Sequence, residues 1–240
     1  SRWFALRVLA ERVINEEGED VDINETDPVR KWISDVEQVI WQRLYQPGTN
    51  FANALDESYL DLGSFGTAVI FVGQKSDGGL LFQARALSEC VIGENADGVV
   101  DTVDRCFTMT VRQIMQMAES EGWTPSDKVT KLVEEQKLDD KIKIIHSVHP
   151  REEGAREYGK ADEKNMAFRS CYFEYDDCHV LNEGGFPEFP YLVPRWMKVP
   201  SETYGRSPAM TALPDIKMLQ AMMLTTIKAA QKCADPPLWL

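Results

Sequence analysis

The chain has 240 residues and a mass of 27.3 kDa, enough for one large domain or two small ones with a sizeable core. Hydrophobic residues make up 43% and charged residues 27%, which excludes a disordered chain. Acidic side chains outnumber basic ones 39 to 26, for a net charge of -13, and a field of that sign excludes a protein that simply coats nucleic acid. A DNA partner is compatible with this balance only if the basic residues are segregated onto one surface.

Residues 1–15 read as an amphipathic helix (Trp3, Phe4, Leu6, Val8, Leu9), which argues against a signal peptide. The acidic run from Glu16 to Glu25 reads as a solvated loop. Asp27-Pro28 is a helix start, and Val29, Trp32, Ile33, Val36, Ile40 and Leu44 follow at helical spacing until Gln46-Pro47-Gly48. Phe51, Ala54, Leu55, Tyr59 and Leu62 predict a second helix, stopped by Gly63. Strand patterns follow at 67–72 and 80–87, with Asp77-Gly78-Gly79 as the hairpin turn. A second hairpin is predicted from 90–92 and 99–107 around Asp97-Gly98.

Thr110-x-x-Gln113 is a capping box that opens a helix, and Thr124-Pro125 predicts the start of another. Residues 141–148 alternate as a strand, 151–165 form a charged loop, and 168–175 and 178–181 are strands about an Asp176-Asp177 turn. The Pro-rich and aromatic stretch 186–200 predicts an extended connector. Ser207-Pro208 starts a final helix, with a kink or a fresh start expected at Pro214. Ile216, Leu219, Met223, Ile227 and Ala230 form its apolar face, and Asp235-Pro236-Pro237 stops it. Helices and hairpins in this mixture predict an α+β fold.

The five cysteines, at 90, 106, 171, 178 and 233, are too widely spaced for a disulfide framework and point to a reducing compartment. No apolar run approaches the ~20 residues that span a bilayer. The chain lacks an initiator Met and starts and stops within structured-looking sequence, so it is expected to be a piece of a longer protein.

Chemistry is sparse. His146, His149, Cys171, Cys178 and His179 are the best metal-ligand candidates, but the spacing of the cysteines is wrong for a zinc knuckle, and no metal site is expected. Gly63-Ser64-Phe65-Gly66 is one residue short of a nucleophile elbow, and no phosphate loop is present. A metal- or cysteine-dependent enzyme built on those five residues is therefore the weaker reading, and no cofactor is expected.

Charge is unevenly distributed. Residues 1–63 carry 13 acidic and 6 basic side chains, whereas 204–240 carry Arg206, Lys217, Lys228 and Lys232 against Asp215 and Asp235. Lys217 and Lys228 are eleven residues apart, about three helical turns, so they share a face, with Lys232 one turn further on. Such a face is either a plain solvated one or a sparse basic stripe for a polyanion, contacting phosphates without reading sequence.

The C-terminal third carries an ordered set of motifs. These are Glu183-Gly184-Gly185 with Glu188-Phe189-Pro190, Pro194-Arg195-Trp196, Tyr204-Gly205-Arg206-Ser207-Pro208, the run 212–217, and Ala230-Gln231-Lys232 to Pro237. Earlier blocks join them: Tyr59-x-Asp61-x-Gly63-x-x-Gly66-Thr67, Thr108-Met109-Thr110-x-Arg112-Gln113 and His149-Pro150-Arg151. In these the chain resembles the portal, or head-to-tail connecting, proteins of short-tailed bacteriophages. The resemblance implies a ring, usually of twelve subunits, at one vertex of the virion capsid, assembled in the host cytoplasm. It is a conduit for double-stranded DNA during packaging and ejection, with no catalysis of its own. Terminase, capsid, scaffold and tail adaptor proteins are the implied partners, and no membrane is involved. Another phage head-tail adaptor is the alternative.

The implied fold has a helix-rich and β-hairpin wing, two stem helices and a small α/β clip, with the crown missing. Along the chain this puts the wing at 1–118, the first stem helix and clip at 119–205, and the second stem helix at 206–240, reaching towards the channel loop. Lys217, Lys228 and Lys232 are then expected to face the DNA channel. Arg195, Trp196, Tyr204, Gly205, Arg206, Ser207 and Pro208 are the family-motif residues, and loop 151–165 is the first place to look for terminase and adaptor contacts.

Overall fold

The computed structural model describes residues 12–14, 20–22, 26–75, 78–152 and 162–234. The chain divides into two compact units. The first comprises 1–54 and 72–83, and the second 55–71 and 84–240. Elements are mixed helix and antiparallel strand, an α+β arrangement.

In the first unit, strands β1 (Arg12–Ile14) and β2 (Asp20–Asp22) pair antiparallel, Val13 opposite Val21. This corrects the helix expected at 1–15 and the loop expected at 16–25 where those residues are described. Val13, Ile14 and Val21 are β-branched and favour extended backbone. Residues 1–11 lie outside the described set. Helix α1 (Asp27–Leu44) starts one residue earlier than expected: Thr26 is the cap, and Asp27 and Pro28 form the first turn. Thr49 Oγ1 then donates to the Leu44 carbonyl at 2.7 Å, closing the helix end. Helix α2 (Phe51–Phe65) begins in this unit and continues from Leu55 as part of the second; its Phe51 ring meets Phe82 edge-on at 5.0 Å. Strands β3 (Val69–Gln74) and β4 (Leu80–Arg85) form the predicted hairpin, with the tip at 72–83 in the first unit and Val69–Phe71 and Ala84–Arg85 in the second; the Lys75 N–H donates to the Gly79 carbonyl, and Gly78 takes φ +81°. Asp77 of the predicted turn lies outside the described residues.

The second unit is built on a five-stranded antiparallel meander of β5 (Cys90–Glu94), β6 (Val100–Thr110), β7 (Lys141–Pro150), β8 (Phe168–Glu174) and β9 (Val180–Phe186). Strands β6 and β7, from either side of the boundary expected at 118/119, pair from Val103–Val148 to Thr110–Lys141. Strand β7 alternates strictly, so Ile142, Ile144, His146 and Val148 all bury on one face. Helices α3 (Val111–Glu121) and α4 (Asp127–Glu134) contribute to the core at one end of that face, around Val111, Ile114, Trp123, Val129, Ile142, Ile144 and Leu181. At the other end Val148 joins Val69, Cys90, Ile92, Val100, Val103 and Tyr191. Strand β10 (Tyr191–Leu192) brings Tyr191 there by pairing antiparallel with β3.

The capping box of α3 forms as predicted, with Gln113 N–H donating to Thr110 Oγ1 and Thr110 N–H to Gln113 Oε1. Helix α4 starts two residues later than expected. Ser126 caps it, its hydroxyl accepting from the Val129 N–H at 3.3 Å, while Thr124 N–H pairs with the Leu181 carbonyl at 2.8 Å. In the range expected to hold a first stem helix, the described helices are this eight-residue α4, the last turn of α3 and a three-residue 3-10 turn at Glu163–Asn165.

Helix α5 (Pro208–Ala234) runs for 27 residues, unbroken across Pro214. No fresh start occurs there. Proline removes only one helical hydrogen bond, to the Met210 carbonyl, and the flanking Ala, Leu, Met and Gln residues are strong helix formers. Among the described residues no helix is long and apolar enough to cross a membrane.

Candidate functional site: the exposed helix and its anchor

No residue of α5 is buried. Nine large apolar side chains along it, from Met210 to Ile227, are 41–65% exposed. Its expected apolar stripe exists, but none of the described residues of the second unit covers it. Lys217, Lys228 and Lys232 are exposed too. At about 100° per residue they fall within a sector roughly 60° wide, away from the Ile216/Leu219/Met223/Ile227 stripe.

The base of this helix is held tightly. Ser207 is 1% exposed; its hydroxyl donates to the Ser64 carbonyl at 2.8 Å and accepts from the Met210 N–H at 2.9 Å. It is therefore both the N-cap of α5 and a link to the end of α2, with Pro208 at the first helical position. Gly205 N–H donates to Thr67 Oγ1 at 2.8 Å, and Thr67 is fully buried. Gly66 N–H closes α2 on Leu62, and its carbonyl accepts from Trp196 N–H at 2.9 Å. Gly66 has φ +80°, and a Cβ there would lie 2.5 Å from the Gly205 oxygen and 2.6 Å from Ser207 N. A Cβ on Gly205 would in turn strike the Gly66 oxygen. Two backbones thus cross where only glycines fit.

The other motif residues brace the same joint. Arg195 forms an ion pair with Glu94 and donates to the carbonyls of Thr203 and Gly98, each at 3.1 Å. Lys198 reaches the same Glu94 and Gly98, each at 3.0 Å. Tyr204 accepts from the Ile92 N–H through its hydroxyl at 3.2 Å, on edge strand β5. Arg206 is exposed and pairs with Glu202, while its backbone N–H bonds Met197 O at 2.8 Å. Trp196 stands 62% exposed.

Glu183, Gly184 and Gly185 form a second joint with Arg151. Burial opposes the Glu183 charge, but hydrogen bonds from Arg169 and Arg151 outweigh it and hold the carboxyl below its usual range. A Cβ on Gly185 would meet the Glu163 and Phe168 carbonyls, so this strand also needs glycine. Sequence reading misses Glu94, Ser64 and Gly98 as partners, since a contact spanning about a hundred residues leaves no local signal.

The metal-ligand candidates do not converge. His146 is 3% exposed, with Nε2 2.9 Å from Ser170 Oγ and Nδ1 3.3 Å from the Tyr191 hydroxyl. Tyr172 stacks on its ring at 3.9 Å. Burial, then the charges of Arg85 and Arg105, lower its pKa to about 3. His149 and His179 are half-buried and bond the Pro150 and Thr124 carbonyls, each at 3.0 Å. Cys171 is buried, and burial raises its thiol; Cys178 is exposed with φ +52°. Among the described residues no group of three or more His, Cys, Asp or Glu is placed to hold a metal ion.

The motif residues of this α+β body brace backbone joints, and the helix they anchor is left open along its length among the described residues. The chain belongs to the bacteriophage head to tail connecting protein family, whose sequence profile matches residues 1–240. It is 32% identical over 221 residues to the probable portal protein of Bordetella phage BPP-1, and 30% identical over 224 residues to the portal protein of Salmonella phage epsilon15. Each alignment covers 91% of this chain but 39% of the relative, so the chain spans about two fifths of the length of these curated relatives.

Proposed function

We propose that this chain is part of a portal subunit: one of about twelve copies in a ring at a capsid vertex, through which double-stranded DNA enters and leaves. The observation that carries the reading is α5, 27 residues long with no buried residue and nine large apolar side chains open. A helix of that length measures about 40 Å, and an uncovered apolar stripe on it is stable against a neighbour, not in water. Copies of α5 pack side by side as stem helices and bury the Ile216–Ile227 stripe. The sector bearing Lys217, Lys228 and Lys232 turns to the channel, where sparse cations attract phosphates without clamping them. The acidic surplus lies elsewhere in the chain, which reconciles a charge of -13 with a DNA partner.

The same reading gives the protein a place in the virion and puts it in contact with terminase, tail adaptor, capsid and scaffold proteins. No catalytic step is assigned to it. Residues 153–161 of the loop expected to meet terminase and adaptor lie outside the described residues. Mass measurement and negative-stain imaging of the full-length protein test the proposal. Closed rings of about twelve subunits are expected. Monomers or dimers alone at micromolar concentration overturn it, and a ring with all three lysines turned from the axis overturns the channel assignment.

A further inference from the structure

We propose that Gly66 and Gly205 are positioning residues whose crossing sets the direction in which α5 leaves the body, and with it the angle between neighbouring subunits. The inference rests on the ring reading above. The crossing fixes three things at once. Gly205 N–H is tied to Thr67 Oγ1 at 2.8 Å, Trp196 N–H to the Gly66 carbonyl at 2.9 Å, and Ser207 Oγ to the Ser64 carbonyl at 2.8 Å. Three residues at the junction of α2 and β3, Ser64 in the last turn of α2 and Gly66 and Thr67 beyond it, therefore grip the segment that leads into the first turn of α5. Neither backbone has room to move closer, since a Cβ on Gly66 would already lie 2.5 Å from both Gly205 O and Arg206 C.

Past this anchor the helix acts as a lever. Beyond the first turn α5 has no buried residue in this chain, so its direction is inherited from its base. Parting the two backbones by about 1 Å across one helical pitch of about 5.4 Å tilts the axis by roughly 10°. Over a helix about 40 Å long that tilt moves the far end by about 7 Å, most of an interhelical spacing of about 8–10 Å. Helices that pack around a ring do not absorb such a shift without changing how many fit or whether the ring closes.

The test uses the full-length protein with Gly205→Ala, Thr67→Val and, as a control, Lys131→Ala. Gly205→Ala inserts a methyl group at the crossing. Thr67→Val removes one bond of the grip at nearly constant volume. Lys131 has an exposed side chain on α4 and takes no part in the crossing. Circular dichroism and thermal melting check the fold, and mass photometry counts subunits per particle. Expected are folded subunits whose rings shift by one or more subunits, or fall at least tenfold in yield, for the first two variants, with the control unchanged. If Gly205→Ala does not fold, Thr67→Val decides. Folded variants giving wild-type counts and yields overturn this inference alone, whereas wild-type protein that forms no ring overturns the ring reading and this inference with it.

Discussion

His146 makes the stability of the second unit depend on pH in a direction that can be worked out from its surroundings. The ring is 3% exposed, stacks on Tyr172 and meets Ser170 and Tyr191, with no carboxylate at either nitrogen. Burial, then Arg85 and Arg105, bring its pKa from 6.5 to about 3. Between those two values the unfolded chain takes up a proton that the folded chain refuses, so acidification favours unfolding. The contribution is fully present above pH 6.5 and is lost as pH falls, by about 1.4 kcal/mol per unit. From pH 7 to pH 5 this amounts to about 2 kcal/mol, and over the whole window to about 5 kcal/mol. Urea denaturation at pH 7, 6 and 5, on wild type and on His146→Gln, measures it in a range above ordinary carboxylate titration. The wild type should lose about 2 kcal/mol more than the variant between pH 7 and 5. Parallel losses in the two proteins refute the reasoning, because the effect would then come from other groups.

The geometry makes three further outcomes measurable. Ser207→Ala removes a helix cap and a buried hydrogen bond together, which costs about 2 kcal/mol and lowers the melting temperature by about 6 °C. An unchanged melting curve means that the cap carries no load. Arg195→Ala leaves Glu94 with Lys198 alone and should cost about 2 kcal/mol by denaturant midpoint. Arg195→Lys should not restore it, since one ammonium cannot serve Glu94, Thr203 and Gly98 as the guanidinium fork does. With a disulfide reagent at pH 8, Cys178 and Cys233 should label quickly. Cys90 should stay silent until unfolding, because burial raises its thiol to about 11. Equal labelling rates for Cys90 and Cys178 contradict the buried-thiol assignment.

The elements with local signals are the legible ones. Thr110 and Gln113 announce α3, alternation over 141–148 announces β7, and Ser207-Pro208 announces α5, because caps, pleat and turn are set by residues a few positions apart. The start of α4 is misread at Thr124, because two hydroxyl residues two apart offer the same cap signal and the one used is Ser126, while the Thr124 backbone bonds Leu181 and His179, more than fifty residues away. The strands at 12–14 and 20–22 are misread because an acidic run resembles a loop until its β-branched residues find a partner strand. The anchor is visible only as motifs. Gly66 and Gly205 stand out in sequence, but that each excludes the other's Cβ is a fact of tertiary contact.

The exposure of α5 leads to one more measurable consequence. An isolated helix in water is marginal, and most helical stability in proteins comes from burying a face. Helix α5 is capped by Ser207 at one end, contains a proline and three threonines that bond back to their i−4 carbonyls, and has no buried residue. Past Pro214 its amides therefore depend on neighbours for protection, whereas those of β6 and β7 depend on a sheet already complete in one subunit. Hydrogen exchange on full-length protein, unassembled and assembled, separates the two. In unassembled subunits residues 215–234 should exchange at least a hundredfold faster than β7, the helix opening often from its free end while β7 stays protected. Assembly should then slow exchange in that segment by about a hundredfold, the effect of roughly 3 kcal/mol of newly buried contact, and leave β7 unchanged. Equal protection of 215–234 in both states would show that the helix is stabilised within its own subunit, and the stripe from Ile216 to Ile227 would then not be the surface on which subunits meet.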